Sequence, residues 1–367
     1  MSEVRKEKPY NRVVIIGNGF DMALGMESSY NQFLLAHIKV AYKSCIGKES
    51  FKSELFELTS IARLDRKDFD KARENVDIHS SIEELTGAFK HLFKIKGRNH
   101  YIDSLLKESL NDWVDIESFY FRKLKNLESI YAKNLNLDNT QINLLNETID
   151  SISTSLIRYL KSRRQSIKSN NNKKMQILIS DCFEHSDLRN INIKTPDNKP
   201  EHVLFLNFNY TNTVMPFLKG VDVEKYTMIN IHGKIDDDRN PIIFGYGDDT
   251  SEEYGLIEQN GKDELLEKIK SIHYATTPNY HVLLNFIEAL NYDVFIVGHS
   301  CGLSDKTMLK TIFENSNCIT IKGFYRSGLK SDIKKRIAIS RHFTDKGRFR
   351  KLYKSYDGTG FIPQFDN

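Results

Sequence analysis

The sequence predicts an α/β protein: a Rossmann-like, mostly parallel sheet flanked by helices, with a large all-helical insertion after the first strand–helix unit. Three observations carry this. The strand-length apolar runs are near-continuous Val, Ile, Leu and Phe rather than alternating, as in strands covered on both faces. The first of them, "RVVIIG" at 12–17, runs straight into a glycine turn. The others lie beyond residue 200, and between about 28 and 195 the spacing is helical with almost no strand signal.

Taken in order, "RVVIIG" is the first strand and its turn opens the first helix. Ser29 and Gln32 form a capping box in front of "FLLAHIKVAY", and Ser80 and Glu83 repeat the pattern before "LTGAFKHLF". From 102 to 131 apolar residues recur every three or four positions, through Leu106, Leu110, Trp113, Ile116, Tyr120 and Leu124, which predicts one long amphipathic helix. Ile142, Leu145, Ile149, Ile152, Leu156 and Leu160 predict another. "SRRQSIKSNNNKK" (162–174) reads as a solvated loop between helices rather than a nucleic-acid contact, and "DNKPEH" (197–202) leads back into the sheet. The later strands are "VLFLNF" (203–208), "TMINIH" (227–232), "PIIFG" (241–245) and "DVFIVGH" (293–299), with "CITIKGF" (318–324) a sixth candidate. The domain division that follows is 1–34 with 196–367 for the sheet, and 35–195 for the insertion.

Bulk properties exclude several classes. In 367 residues the net charge is only +4, which gives no strong attraction to nucleic acid or anionic membrane. The four cysteines, Cys45, Cys182, Cys301 and Cys318, are far apart, so neither a disulfide framework nor a zinc knuckle is expected. The amino-terminal residues are polar and charged, and no apolar run approaches the roughly 18–20 residues of a membrane span. A cytoplasmic protein is the expectation, with no membrane partner and no metal.

Ligands of open parallel sheets bind outside the carboxyl ends of the strands. Gly17 and Gly19 follow the first strand, where glycine lets the backbone approach a phosphate or simply turn. The third glycine of G-x-G-x-x-G is missing, Met22 standing there, and no acidic ribose ligand follows a second strand; hydride-transfer chemistry is therefore disfavoured. Asn18 and Asp21 add polar groups to the turn, although Asp21 also suits a helix cap. After the later strands come Asn209-Tyr210-Thr211-Asn212, then Ile231-His232-Gly233-Lys234, then His299-Ser300-Cys301-Gly302-Leu303-Ser304-Asp305. If the strands are parallel these segments converge on one crevice. Each has a plainer reading: His232 as a structural histidine, Asn209 as a turn former, Ser300 and Ser304 as helix caps with Asp305 in the first helical turn.

Five segments in this order, "IIGNGFDMALGMESSYNQFL", "WVDIESFY", "FNYTNTV", "INIHGK" and "GHSCGLSDKTML", closely resemble the AbiH family of bacteriophage abortive-infection proteins. That family in turn resembles a divergent branch of sirtuin-type NAD-binding domains. The resemblance implies a cofactor turn at Gly17, Asn18, Gly19, Phe20 and Asp21, a ribose-contacting Asn209, a catalytic His232, and a later cofactor loop through Gly298, His299, Ser300 and Asp305. Thr211 stands where sirtuin-type loops usually have aspartate, and the sirtuin zinc cysteines are absent. Cleavage of NAD by water is then expected rather than protein deacylation.

Breaking the nicotinamide–ribose bond builds positive charge on the sugar. A neutral imidazole can take a proton from water or a hydroxyl at cell pH, and an asparagine amide can hold a ribose hydroxyl. Glu117 shares a helical face with Trp113 and Tyr120, so its carboxylate points at an apolar surface; it serves as an auxiliary sugar contact or as an anchor of the insertion. The expected function is therefore antiphage defence through binding of NAD or a related nucleotide, with hydrolysis to nicotinamide and ADP-ribose. The alternative is a non-catalytic nucleotide sensor. In either case the helical insertion is the candidate surface for a phage or host protein that acts as trigger, and a homo-oligomer stays open. A nuclease ranks below both, for want of clustered carboxylates.

Overall fold

The apolar runs assemble as strands of one parallel sheet, with β1 at its centre. The computed structural model describes residues 9–62, 69–111, 115–134, 138–164, 173–184, 199–356, 358 and 360–364. In chain order the strands are β1 (Tyr10–Ile16), β2 (Ser50–Lys52), β3 (Phe56–Ser60), β4 (Phe93–Gly97), β5 (Val203–Asn207), β6 (Tyr226–Asn230), β7 (Asn291–Val297) and β8 (Cys318–Gly323). The large sheet is ordered β6-β5-β1-β7-β8 and is parallel throughout. Counting its strands along the chain, this is the doubly wound order 3-2-1-4-5, which reverses direction between β1 and β7.

Burial on both faces explains the unbroken apolar runs. Val13 and Ile15 of β1 face one core layer with Leu204, Leu206, Val294 and Ile296, covered by Leu283 and Ile287 of the helix Asn279–Ala289 and by Met308, Leu309 and Ile312 of Lys306–Glu314. Val14 and Ile16 face the other, with Phe205 and Val297, covered by Phe20 and Ala23 of the helix Asn18–Ala23 and by Met175, Leu178 and Ile179 of Lys173–Asp181. Alternate residues thus serve opposite layers, and neither layer tolerates a polar side chain.

One charged pair is an exception. Arg12 in β1 is fully buried beside its register partner Asp293 in β7. Nε and Nη2 each donate to one Asp293 oxygen at 2.9 Å, and Nη1 donates to the carbonyls of Asp181, Cys182 and Glu184. Its guanidinium also lies 3.9 Å from the centre of the Phe295 ring. The pair therefore pins the amino-terminal end of the sheet, away from the strand ends where ligands bind.

The chain forms two units. One comprises residues 1–26, 163–254 and 269–367 and holds the parallel sheet; the other comprises 27–162 and 255–268. The helix Lys173–Asp181, within the range expected for the insertion, therefore packs in the sheet's own core.

The second unit is not all-helical. It holds the antiparallel sheet β2-β3-β4, separate from the large one. These strands are short, and β4, "FKIKG", alternates buried and exposed residues, a pattern easily absorbed into adjoining helical spacing. The expected helix over 102–131 is two, His100–Asn111 and Ile116–Tyr131; Trp113 lies outside the described residues. Asp115 starts the second as its N-cap, accepting from the amides of Glu117 and Ser118. The Ser29–Gln32 capping box is present, whereas the second cap sits one residue later than expected, with the Ser81 hydroxyl accepting from the Glu84 amide. The helix Thr140–Arg164 buries all six apolar positions of its predicted stripe. "PIIFG" is not a strand: it runs beside the turn after β6, where the Ile243 amide donates to the His232 carbonyl.

Candidate functional site

β5, β1 and β7 are parallel neighbours, so the turns after them meet at one end of the sheet, with the β6 turn beside them. The turns after β1 and β7 are in backbone contact. The Gly17 amide donates to Val297 O at 3.1 Å and the Gly19 amide to Gly298 O at 2.8 Å. Gly298 has φ +81, and a Cβ there would lie 2.2 Å from the Phe20 nitrogen; a Cβ on Gly17 would lie 2.4 Å from the His299 Cα. These glycines are needed for chain to meet chain at the reversal point, with Gly19's amide already committed. Phe20 is a core residue, edge-on to Phe217, and Asn18 is exposed.

Asp21 ties the β1 turn to the β5 turn. Its buried carboxylate accepts from Asn209 Nδ2 at 3.1 Å and from the hydroxyls of Thr211 and Thr213. Burial pushes its pKa up to about 6, while the three hydrogen bonds pull the other way. The Asn209 amide is thus engaged with Asp21. The β5 and β6 ends are joined in the same manner by Asn207, which donates to Thr211 O and to Asn230 Oδ1.

Further in, a second buried group centres on Asp305. Its Oδ1 accepts from Lys270 Nζ at 2.8 Å; His232 Nε2 and His299 Nε2 lie 3.4 Å from Oδ1 and Oδ2. Burial alone would raise the carboxyl pKa, but Lys270 and the two imidazoles outweigh it and hold Asp305 ionised, well below the usual range. Asp305 does stand at a helix start, at the N-cap position before Lys306–Glu314, but its side chain makes no cap bond and turns inward to Lys270.

The two histidines differ. His232 packs edge-on to Phe208 and is parallel to Tyr274. Burial, with Lys270 nearby, drives its pKa down to about 3, against Asp305 and a hydrogen bond with the Phe208 backbone. Its Nε2 has no hydrogen-bond partner. For His299, burial disfavours charge, but Asp305 and Cys301 draw the pKa up, to about 9. The Cys301 amide points at His299 Nδ1 from 3.0 Å, and a protonated ring offers no acceptor there. In the neutral form that contact leaves the ring's proton on Nε2, toward Asp305. Cys301 has φ +57, and its carbonyl accepts from His342 Nε2 at 2.9 Å. The loop after β7 is thus held in a costly backbone shape by fixed partners.

An open cleft of about 320 Å³ adjoins the reversal point on the β8 side. Gly19, Met22, Gly298 and Ser300 line one part; Phe324, Tyr325, Arg326, Ser331, Lys334, Lys335, Ile362 and Gln364 line the rest. Among the described residues three cations and no carboxylate line it. Lys335 donates to the His299 carbonyl, so the cleft wall and the buried Asp305 group share one turn. Of the predicted residues, Gly19, Gly298 and Ser300 reach the cleft, whereas His232, Asn209 and Asp21 form the buried groups behind it. Glu117 is buried in the first turn of Ile116–Tyr131, in the other unit.

Two features escaped the sequence reading. Lys270 sits in "EKIKSIHY", which looks like an ordinary solvated stretch. "FYRSGLKSDIKK" follows β8 and carries the cleft's cations; the same inspection of strand ends finds it once "CITIKGF" is taken as a strand.

Among the described residues, no group of His, Cys, Asp and Glu side chains is arranged to hold a metal ion, and no helix is long and apolar enough to cross a membrane. The model of a family described as bacteriophage abortive infection AbiH matches residues 13–326. No curated protein matches the chain.

Proposed function

The chain belongs to the AbiH family of bacteriophage abortive-infection proteins, and from that premise we propose that its sheet unit acts by binding NAD or a closely related nucleotide in the cleft beside the β1–β7 reversal. One observation carries this reading: the cleft lies at the switch point of a doubly wound parallel sheet, and among the described residues its lining combines three cations with Met22, Phe324, Tyr325 and Ile362 and no carboxylate. Such a lining suits a ligand with an anionic part and a flat, apolar part. The family role makes the consequence a response to phage infection, and a phage or host protein engaging the second unit is the corresponding trigger.

Hydrolysis of NAD is the second reading, and the unpartnered Nε2 of His232 supports it. In that reaction the ribose–nicotinamide bond breaks with its electron pair leaving on nicotinamide. Water adds to the sugar carbon and gives up a proton. His232 has a lone pair to receive it, and Asp305 nearby would stabilise the imidazolium. In its present enclosure a pKa of about 3 makes it a weak base, and it does not line the cleft. Binding therefore ranks ahead of cleavage.

Calorimetry with NAD and ADP-ribose on the purified protein tests the first reading, with saturable binding expected; absence of binding by both overturns it. Chromatographic assay for free nicotinamide tests the second. His232→Ala is expected to abolish release while binding persists, and undiminished release by that variant would remove His232 from the chemistry.

A further inference from the structure

We propose that the cleft holds the phosphates of its ligand at the turn after β8, through Arg326, Ser331 and Lys334, and not at the glycine turn after β1. This deepens the nucleotide reading and rests on it only for the identity of the ligand's remainder.

The glycine turn has no vacancy for a phosphate. The Gly19 amide is given to Gly298 O, the Gly17 amide to Val297 O and the Phe20 amide to Gly17 O. The space a glycine normally leaves for a ligand is filled by backbone: a Cβ on Gly19 would meet Gly298 O at 2.7 Å.

The opposite wall is arranged for an anion. Arg326 and Lys334 line the cleft, and among the described residues neither has a hydrogen bond or ion pair. Two like charges on one wall favour a negative ligand, and among the described residues no carboxylate lines the cleft to take that role. The acid on the same helix, Asp332, is buried and already paired with Arg336 and the Tyr353 hydroxyl. Ser331 lies in the first turn of the 13-residue helix Gly328–Ser340, and Ser327, at the N-cap position, makes no side-chain cap bond. The helix start therefore adds amide donors and a favourable dipole to the two cations. Lys335 acts differently. Burial lowers its pKa, and its ammonium is held by the His299 carbonyl, bracing the wall against the β7 turn.

Phosphates on this wall direct the rest of the ligand toward Gly298 and Ser300, the reverse of an arrangement in which the β1 turn grips the pyrophosphate. The site's chemical class is a phosphate ester or pyrophosphate, and an uncharged nucleoside lacks the group it recognises.

The test is calorimetry with NAD, ADP-ribose, inorganic pyrophosphate and adenosine on the wild-type full chain and on Arg326→Gln, Lys334→Gln and Lys330→Gln. Lys330 is exposed on the same helix but does not line the cleft, so its variant matches the charge change without touching the site. Each cleft variant is expected to weaken NAD, ADP-ribose and pyrophosphate roughly ten-fold or more, as loss of one charge-assisted hydrogen bond does. Lys330→Gln should stay within about two-fold, and adenosine binding should be the same in all four proteins. If NAD binds with equal affinity to wild type and both cleft variants, the placement is wrong and the nucleotide reading survives. If pyrophosphate binds in a manner dependent on Arg326 and Lys334 but NAD does not bind, the placement holds and the NAD reading fails. If wild type binds no phosphate-bearing probe, both fall.

Discussion

Replacing Asp21 by Asn should change how the protein's stability responds to pH, by an amount the site fixes. Asp21 is fully enclosed, and burial raises its pKa from 3.8 to about 6. A carboxyl whose folded-state pKa is raised binds its proton more tightly when folded. Stability from this group is therefore fully present below about pH 3.8 and is lost as pH rises through about 6. At about 1.36 kcal/mol per unit, the shift amounts to about 3 kcal/mol, of which roughly 1.4 kcal/mol falls between about pH 5 and about pH 7.5. Asparagine cannot titrate. Its Oδ1 can still accept from Asn209 and Thr213, and the Thr211 hydroxyl can rotate to accept from Nδ2. His232 and His342 act in the opposite direction, since burial lowers their pKa values from 6.5 to about 3 and about 4. The wild-type pH curve alone is therefore not diagnostic, and the difference between wild type and variant is. Urea unfolding followed by circular dichroism at the two pH values should show Asp21→Asn gaining about 1.4 kcal/mol relative to wild type on going to the higher pH. Parallel behaviour of the two proteins would refute a raised Asp21 and the enclosure that causes it.

Three further expectations rest on other parts of the sheet unit. Lys270→Met leaves Asp305 buried without its cation and should destabilise by about 3–5 kcal/mol, read by the urea midpoint; a neutral result would mean that water reaches Asp305. Arg12→Ala strands Asp293 in the same way at the other end of the sheet, with a comparable loss expected in thermal unfolding and no selective effect on ligand affinity. Gly298→Ala forces a side chain onto φ +81 and into the Phe20 backbone; it should lower stability by more than about 2 kcal/mol, and a variant that folds with wild-type stability would contradict the close approach of the two turns.

The parallel sheet was legible because its chemistry is local. A strand covered on both faces must be apolar at every position, and "VVII" or "VFIV" says so without knowledge of its neighbours. "PIIFG" has the same composition for another reason. It is packed against the β6 turn so closely that a Cβ on Gly233 would lie 2.1 Å from the Pro241 oxygen, and proline has no amide to give a ladder. The convergence of Asp21, Asn209, His232 and His299 at one end was also readable, since each follows a strand directly. What each side chain does there was not. Asp305 finds Lys270 at a separation of 35 positions and Asp21 finds its threonines at about 190, and no local pattern distinguishes a lysine that will be sealed beside a carboxylate from one that will face water. The glycine turn is ambiguous for a similar reason: a backbone that approaches a phosphate and one that approaches another backbone both require glycine.

The central position of β1 also sets a timetable for the molecule's birth. Of the sheet's strands this one leaves the ribosome first, yet the residue that Arg12 must pair with in β7 follows 281 positions later. Until then a strongly apolar segment waits with the edge that β7 will cover still open, even after β5 has covered the other, a species prone to mispairing and a natural client of chaperones. Most of the cleft's lining arrives later still, after β8, ending with Ile362 and Gln364. Chains interrupted at β8 therefore lack most of the residues that line this cleft.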